Sequence, residues 1–294
     1  MNSFFKLTMV LVCLIQGCTA VHKGDNISTG MSQLVIAEPL PINYKSEIAI
    51  ARLSEVIHRP EITNEQRAKL YYDRGVIYDS VGLRALAHLD FTLALRLKAD
   101  LVDAYNFLGI HFIQMQEFMQ AYEAFDSALE LSPEHEYAYL NRGIALYYGG
   151  RPALSLEDLN NFHQLQKDDP YRLLWIYIVE QSIDKQRAQQ SLKEQAVFVN
   201  DNSWAKKIIH LYLNEIQPNE FIDLLTTGIK SNKALTERLC EAYFYLGKYH
   251  QMKGNDALAA NFFKLTLSTN VYEFVEHRYA KLELDFMRAP LNKH

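Results

Sequence analysis

Apolar residues recur at intervals of three and four along most of the chain, a spacing that places side chains on one face of an α-helix. In one segment, Tyr105, Leu108, Gly109 and Phe112 share such a face. Turn-forming residues separate these amphipathic segments at short intervals. The pattern therefore predicts an all-α chain made of consecutive helices.

Residues at the predicted helix ends agree with this interpretation. Thr63 and Gln66 are spaced as in a capping box that begins a helix. Gly82 follows where that helix should end, because glycine readily adopts the left-handed conformation of a helix C-terminus. Pro133 should stop a later helix, since proline lacks the backbone N–H that a helix requires.

The amphipathic segments repeat with a fixed period. Gly75, Gly109 and Gly143 are separated by 34 residues each. A constant period between about 20 and 50 residues identifies stacked-repeat architectures. Three further columns follow the same step: Tyr71, Tyr105 and Tyr139; Ala87, Ala121 and Ser155; Phe91, Phe125 and Leu159.

These columns resemble the tetratricopeptide repeat. The second copy matches best, whereas the first has Ala99 in place of the closing proline and the third has Phe162 in place of a small residue. A fourth copy contains Gly247, and two degenerate helical hairpins are expected between Gly143 and Gly247. The resemblance implies an all-α tetratricopeptide-repeat superhelix of antiparallel helix pairs.

Such a superhelix has one concave surface, because each repeat buries its apolar face against its neighbours. In the third copy, the positions that line this surface are unexpectedly apolar, and a surface rich in Ile, Leu and Tyr is typical of protein interfaces. If the degenerate middle hairpins cover these residues, they are core instead. The predicted protein-binding groove consists of Asn106, Ile110, Ile113, Leu140, Ile144, Tyr147 and Tyr148.

The N-terminus resembles the signal peptide of a bacterial lipoprotein. Lys6 precedes an apolar run over 7–15, which is too short to span a bilayer but long enough for a signal peptide. The run leads into IQGC, a match to the lipobox in which Cys18 receives the lipid, although Gln16 is uncommon at its position. Thr19 indicates passage to the outer membrane. The alternatives are an ordinary secretory signal and a cytosolic chain with an apolar start.

Composition and charge narrow the functional classes. The formal net charge of −5 gives no basic excess for binding nucleic acid. Three cysteines in 294 residues cannot build a disulfide framework, and only Cys240 would remain as a thiol in the lipidated mature chain. No spacing of Cys and His indicates zinc. The sequence therefore predicts neither a metal nor a cofactor.

No set of residues points to catalysis. His135 begins a motif like that of a zinc-protease helix, but Tyr139 stands where the second histidine is required. The glycine pair at 149–150 lacks the Lys-Ser/Thr of a phosphate loop and fits a turn between two helices. His277 is expected at a surface or an interface. The chain is therefore predicted not to be an enzyme.

Four runs of residues contain features that the repeat consensus does not require, such as the YYGG within one of them. They resemble the family of the outer-membrane lipoprotein NlpI, and the resemblance extends from the lipobox to about residue 284. It weakens in the segment after the lipobox and between roughly 180 and 240. The runs are YDS at 78–80 with GLRALA at 82–87, YEAFDS at 122–127, NRGIALYYGGR at 141–151 and FVEHRYA at 274–280.

This resemblance implies an all-helical homodimer with a lipid anchor in the outer membrane, facing the periplasm. Members of the family are adaptors that bind the tail-specific protease Prc and bring it a murein endopeptidase client of the MepS type, so that cell-wall cleavage is regulated. They are also scaffolds for other peptidoglycan hydrolases. Two alternatives remain: a structural or assembly lipoprotein of another outer-membrane complex, and an undetected enzyme such as a cell-wall hydrolase.

These observations together predict six segments along the chain. They are a lipoprotein signal peptide at 1–17, a lipidated N-terminus and flexible tether at 18–45, an N-terminal helix at 46–62, three tetratricopeptide repeats at 63–170, degenerate helical hairpins at 171–239, and C-terminal repeat-like helices and a tail at 240–294.

Overall fold

A computed structural model describes residues 34–288, and within this range all regular secondary structure is helical. The predicted all-α fold is therefore confirmed. The predicted signal peptide and Cys18 lie outside the described residues. The first helix and three antiparallel pairs are α1 (Tyr44–Val56), α2 (Asn64–Ser80) with α3 (Arg84–Leu97), α4 (Val102–Gln114) with α5 (Phe118–Leu131), and α6 (Glu136–Tyr148) with α7 (Pro152–Leu165).

The remaining helices are less regular in length. A short 3-10 turn at Ala196–Phe198 separates the fourth pair from two helices of only 7 and 6 residues. None of the helices within 34–288 is long and apolar enough to cross a bilayer. The later helices are α8 (Pro170–Ile183) with α9 (Lys185–Gln195), α10 (Lys206–Tyr212), α11 (Pro218–Asp223), α12 (Asn232–Met252), α13 (Asp256–Leu267) and α14 (Val275–Arg288).

The glycine column is explained by the contact between the two helices of each repeat. A Cβ added to Gly109 would lie 2.5 Å from the ring of Phe125, and one added to Gly247 would lie 2.5 Å from Phe263. Such a distance is far inside van der Waals contact, so only glycine fits. The same arrangement opposes Gly75 to Phe91 and Gly143 to Leu159.

Buried ion pairs join the helices of the first and third repeats. Arg74 donates to both carboxylate oxygens of Asp90, at 2.7 and 2.8 Å. Arg142 holds Asp158 in the same way, at 2.7 Å to each oxygen. In the second repeat, Leu108 occupies the position of the arginine. Bidentate pairing of this kind fixes the relative orientation of two helices.

The predicted helix ends are confirmed. The backbone N–H of Gln66 donates to Thr63 Oγ1 at 3.2 Å, and the backbone N–H of Thr63 donates to Gln66 Oε1 at 2.8 Å, which completes the capping box. Gly82 has a φ of +79°, in the left-handed region that favours glycine. Gly82 thereby turns the chain from α2 into α3.

The segment before α1 is bound to the C-terminal half of the chain. Thr236 Oγ1 donates to the carbonyl oxygen of Glu38 at 3.0 Å, and the backbone N–H of Leu40 donates to the carbonyl oxygen of Thr269 at 2.9 Å. The Tyr243 hydroxyl donates to the carbonyl oxygen of Val35. The structure thus differs from the prediction of a flexible tether up to residue 45, because α12 and the end of α13 satisfy backbone groups of this segment.

Candidate functional site

The residues of the predicted groove lie on first helices of the repeats, but they are largely buried. Ile113 and Ile144 are 0% exposed, and Asn106, Ile110 and Leu140 are also buried. The two tyrosines of the groove, Tyr147 and Tyr148, are partly buried. Most of these residues are therefore core, although the alternative from the sequence attributes such burial to the degenerate middle hairpins. A role of these residues in binding a client stays a prediction.

The C-terminal helix α14 packs against the C-terminal ends of α2 and α6 and against α8. On α14, Arg278 Nη2 lies 2.6 Å from the Asp79 carboxylate of α2. The ring of Tyr279 lies 5.5 Å from that of Tyr148 on α6 and 6.0 Å from that of Trp175 on α8. α14 also packs against α4. α14 therefore contacts one residue of the predicted client-binding groove, Tyr148.

A buried polar network fixes the middle of α14. Glu283 Oε1 accepts from the Tyr148 hydroxyl at 2.7 Å and from Lys248 Nζ at 2.6 Å. Its other oxygen accepts from Gln251 Nε2 at 2.8 Å. Burial by itself would lower the pKa of Lys248, but the adjacent Glu283 carboxylate raises it above its ordinary value. Lys248 is therefore a buried cation whose charge is balanced by Glu283.

Asp79 joins the ends of α2, α4 and α14. Its carboxylate oxygens lie 2.9 Å from His111 Nε2 and 2.6 Å from Arg278 Nη2. Burial favours the neutral acid, but the hydrogen bond from His111 and the charge of Arg278 hold the pKa of Asp79 below its ordinary value. Asp79 is thus an ionised group that links the first repeat to the last helix.

His277 is buried, so the prediction that it lies at a surface or an interface is wrong. Its Nε2 lies 3.2 Å from the carbonyl oxygen of Leu267 at the end of α13. The ring of Tyr272 packs edge-on against it at 4.9 Å. Burial lowers the pKa of His277 to about 4, so the imidazole is neutral at neutral pH and donates from Nε2.

Two glutamates, the partly buried Glu241 of α12 and the buried Glu276 of α14, influence each other. Burial raises the pKa of Glu276, and burial together with the Glu276 charge raises the pKa of Glu241. The ionised forms of these two carboxyls are therefore disfavoured in the folded chain. Tyr171 on α8 is nearby, and its pKa is raised first by burial and then by the charge of Glu241.

The motif that begins at His135 serves to start a helix. His135 precedes α6, and its Nδ1 accepts from the backbone N–H of Ala138 at 3.0 Å. Its Nε2 lies 2.9 Å from the Asp103 carboxylate. Within residues 34–288, no group of three or more His, Cys, Asp or Glu side chains is placed to hold a metal ion.

The network around Glu283 is not anticipated by the sequence. The C-terminal segment is predicted as repeat-like helices, and the repeat consensus gives no partner for Lys248 or Glu283. The available signal is the position of Lys248 directly after Gly247, on the buried side of the fourth glycine column. A lysine at such a position requires a buried acceptor or anion.

Solved structures of low sequence identity share this architecture. A tetratricopeptide repeat protein from Parabacteroides merdae is 14% identical with a TM-score of 0.52, and the match covers 83% of this chain and 98% of that one. The Rap conjugation gene regulator of plasmid pLS20, solved in complex with the Phr* peptide, is 16% identical with a TM-score of 0.53, covering 85% and 73% of the two chains. No protein-family profile matches this chain. The likeness shows that the chain has a tetratricopeptide-repeat fold.

Proposed function

We propose that this chain is a non-enzymatic adaptor lipoprotein of the NlpI type. It is anchored through Cys18 in the outer membrane, faces the periplasm and acts as a homodimer. It binds the tail-specific protease Prc and a murein endopeptidase of the MepS type, promotes degradation of the endopeptidase and so regulates peptidoglycan hydrolysis. The tetratricopeptide-repeat fold supports an adaptor role in general, because stacked repeats present extended surfaces for protein partners.

One observation supports the more specific family. Three of the four runs that resemble NlpI pack against one another in the fold. Arg278 and Tyr279 belong to the run at 274–280, and they contact Asp79 and Tyr148, which belong to two other runs. The contacts attach α14 to the C-terminal ends of α2 and α6. Residues from three of the resembling runs therefore meet in one region of the fold, and the repeat consensus does not require these contacts.

The proposed adaptor acts by effective concentration. When one chain holds protease and client together, their encounter becomes local, at roughly millimolar effective concentration for a short connection. Surfaces outside the buried core are available to such partners. Large apolar side chains are exposed on second helices of the repeats, among them Leu89, Met119, Leu154 and Leu165.

A turnover assay tests the proposal. Purified Prc is incubated with a MepS-type endopeptidase, with and without this chain, and the remaining endopeptidase is followed over time. We expect degradation to be at least several times faster in the presence of the chain. An unrelated soluble tetratricopeptide-repeat protein is the control. Equal rates with and without the chain would contradict the adaptor function, whereas copurification with another outer-membrane complex would favour a structural role.

The lipid and the binding function should be separable. A soluble form that begins after Cys18 should still bind Prc in a pulldown, because the described helices contain the proposed adaptor body. If binding is lost on removal of the lipid alone, the anchor itself takes part in recognition and the proposed division of roles fails.

A further inference from the structure

A cleft lies beside the ends of α6, α8 and α12. It consists of two adjoining cavities of about 290 and 450 Å³, which share Gln181, Lys185 and Met252 as lining residues. We call it the lysine–tyrosine cleft. Its principal lining residues are Tyr147, Tyr177, Gln181, Lys185, Tyr249 and Lys253.

The hydroxyl of Tyr177 is arranged as a donor. It accepts from Gln181 Nε2 at 2.8 Å and from Gln189 Nε2 at 2.6 Å. The Gln189 amide also donates to the carbonyl oxygen of Tyr212 at 3.0 Å, which fixes its orientation. Burial raises the pKa of Tyr177 to about 12, so the group keeps its proton at neutral pH. Because its lone pairs are occupied, the O–H remains to donate to another molecule.

Tyr147 repeats this arrangement in the smaller cavity. Its hydroxyl oxygen accepts from Lys248 Nζ at 3.2 Å. Lys248 is itself paired with Glu283 at 2.6 Å, so its charge is balanced inside the protein. The Tyr147 hydroxyl therefore also has an O–H with no acceptor among the described residues.

The rim of the cleft is positively charged. Lys185 and Lys253 are exposed, and neither forms an ion pair within residues 34–288. Lys253 Nζ lies 3.2 Å from Asn214 Oδ1 and 5.3 Å from the ring centroid of Tyr249, which together hold it at the rim. Among residues 34–288, no Asp or Glu lines either cavity. In a chain with a net charge of −5, this is a local excess of cations and donors.

Such a lining is complementary to a ligand that carries carboxylates and many hydrogen-bond acceptors. An extended polypeptide offers backbone carbonyl oxygens at every residue, about 3.3 Å apart along the chain. Its acidic side chains would lie against the lysines, and its apolar side chains against Met252 and the tyrosine rings, which suit peptide contacts because they are large and rigid. These properties favour a peptide over a saccharide.

We propose that the lysine–tyrosine cleft binds an acidic, extended segment of a partner protein. Carboxylates of the segment contact Lys185 and Lys253, and its backbone carbonyls accept from Tyr147 and Tyr177. This inference rests on the proposed adaptor function, since it assigns a surface and a ligand chemistry to the binding of a partner.

Fluorescence anisotropy with a defined probe tests the cleft. The probe is a dye-labelled ten-residue peptide that alternates Glu with Leu and Tyr, and its matched control carries Gln in place of every Glu. The full chain should bind the Glu peptide at least tenfold more tightly than the Gln peptide. The preference should weaken with added salt, because exposed charges are screened.

Charge reversal in the cleft gives the decisive comparison. The double variant Lys185→Glu/Lys253→Glu should lose at least tenfold in affinity for the Glu peptide. The control is Lys193→Glu/Lys230→Glu, which changes the net charge equally at exposed lysines outside the cleft and should bind within twofold of the wild type. Tyr177→Phe, which removes the O–H and keeps the ring, should weaken binding several-fold, with the thermal midpoint measured in parallel.

Several outcomes would overturn the assignment. They are equal binding of the Glu and Gln peptides, equal affinity of the two double variants, and cleft-dependent binding of an oligogalacturonate in place of the peptide. The turnover assay with Prc then separates the two proposals. If wild type and cleft variant both accelerate degradation, the cleft is not the partner site and the adaptor function stands. If the wild type gives no acceleration, the adaptor function fails, whatever the peptide result.

Discussion

At Gly109, a hydrogen in place of a methyl group lets the ring of Phe125 lie against the backbone of α4. The same pairing of a glycine with a bulky side chain recurs in four repeats, including the one at Gly247. This column is predictable from the sequence because it depends on two residues of one repeat. The spacing of 34 residues identifies the repeat, and the repeat predicts the fold.

Substitution at this column has an expected cost. Gly109→Ala places a Cβ 2.5 Å from Phe125, so the helices must separate. Overpacking of this kind costs about 1–3 kcal/mol, of which the better helix propensity of alanine recovers about 1. We expect a net loss in the free energy of unfolding, measured by urea denaturation. Adding Phe125→Leu should restore part of it, and a stabilised Gly109→Ala protein would contradict the packing argument.

Glu283 gives a second prediction at this scale. Glu283→Gln leaves the Lys248 cation buried without a balancing charge, which should destabilise the chain by about 3–5 kcal/mol. The matched control on the same helix is Asp285→Asn, which removes the more exposed ion pair with Lys281 and should change stability by less than about 1 kcal/mol. If both substitutions lower the free energy of unfolding equally in urea denaturation, the buried pair stabilises the chain no more than the exposed pair does.

At the scale of elements, the sequence predicts the individual helices but not which helices pack against one another. The amphipathic pattern of α14 shows that the helix buries one face, yet nothing in its sequence says that it packs on helices more than a hundred residues earlier. The burial of Tyr148 against α14 follows from this docking, which the sequence does not predict. The one sequence signal of this docking is the apolar character of the third copy.

The contact between α13 and α14 predicts a pH dependence. His277 has a pKa lowered to about 4 by burial, against an ordinary value of 6.5, so the unfolded chain binds more protons between these values. Stability should therefore be complete above pH 6.5 and fall as the pH decreases towards 4. The contribution is roughly 3 kcal/mol, since a tenfold change in proton affinity is worth about 1.4 kcal/mol.

The measurement compares urea denaturation from pH 7 to pH 4.5 in two variants. In His277→Gln, the amide can still donate to the carbonyl oxygen of Leu267 but does not titrate, so stability should fall less steeply with decreasing pH. His58→Gln removes an exposed imidazole and should follow the wild-type curve. A slope in His277→Gln equal to that of the wild type would contradict the assignment to His277.

At the scale of the whole molecule, α14 adds contacts between parts of the chain that are far apart in sequence. In an open stack, each repeat contacts only its neighbours. Here, Arg278 contacts Asp79 across 199 residues of sequence, and Tyr148 contacts Glu283 across 135. The position of the lysine–tyrosine cleft likewise cannot be predicted from the sequence, because Tyr147, Lys185 and Lys253 come from three separated segments.

Removal of α14 tests these contacts. A chain that ends before Val275 would expose side chains that pack on α14, including Tyr148 and Trp175, so we expect binding of the dye ANS, loss of a single cooperative unfolding transition and self-association in size-exclusion chromatography. A synthetic peptide of residues 275–288, added in excess, should reduce the dye binding. A truncated chain that unfolds like the wild type would show that α14 is an accessory element.

The contact between Arg278 and Asp79 also sets the order in which the molecule can be completed. Translation proceeds from the N-terminus, so the first repeat is made long before the residue that will neutralise its buried aspartate. Until α14 packs in place, Asp79 lacks the charge of Arg278 and the Tyr148 hydroxyl lacks its acceptor Glu283. Completion of the first repeat therefore depends on a residue 199 positions further along the sequence.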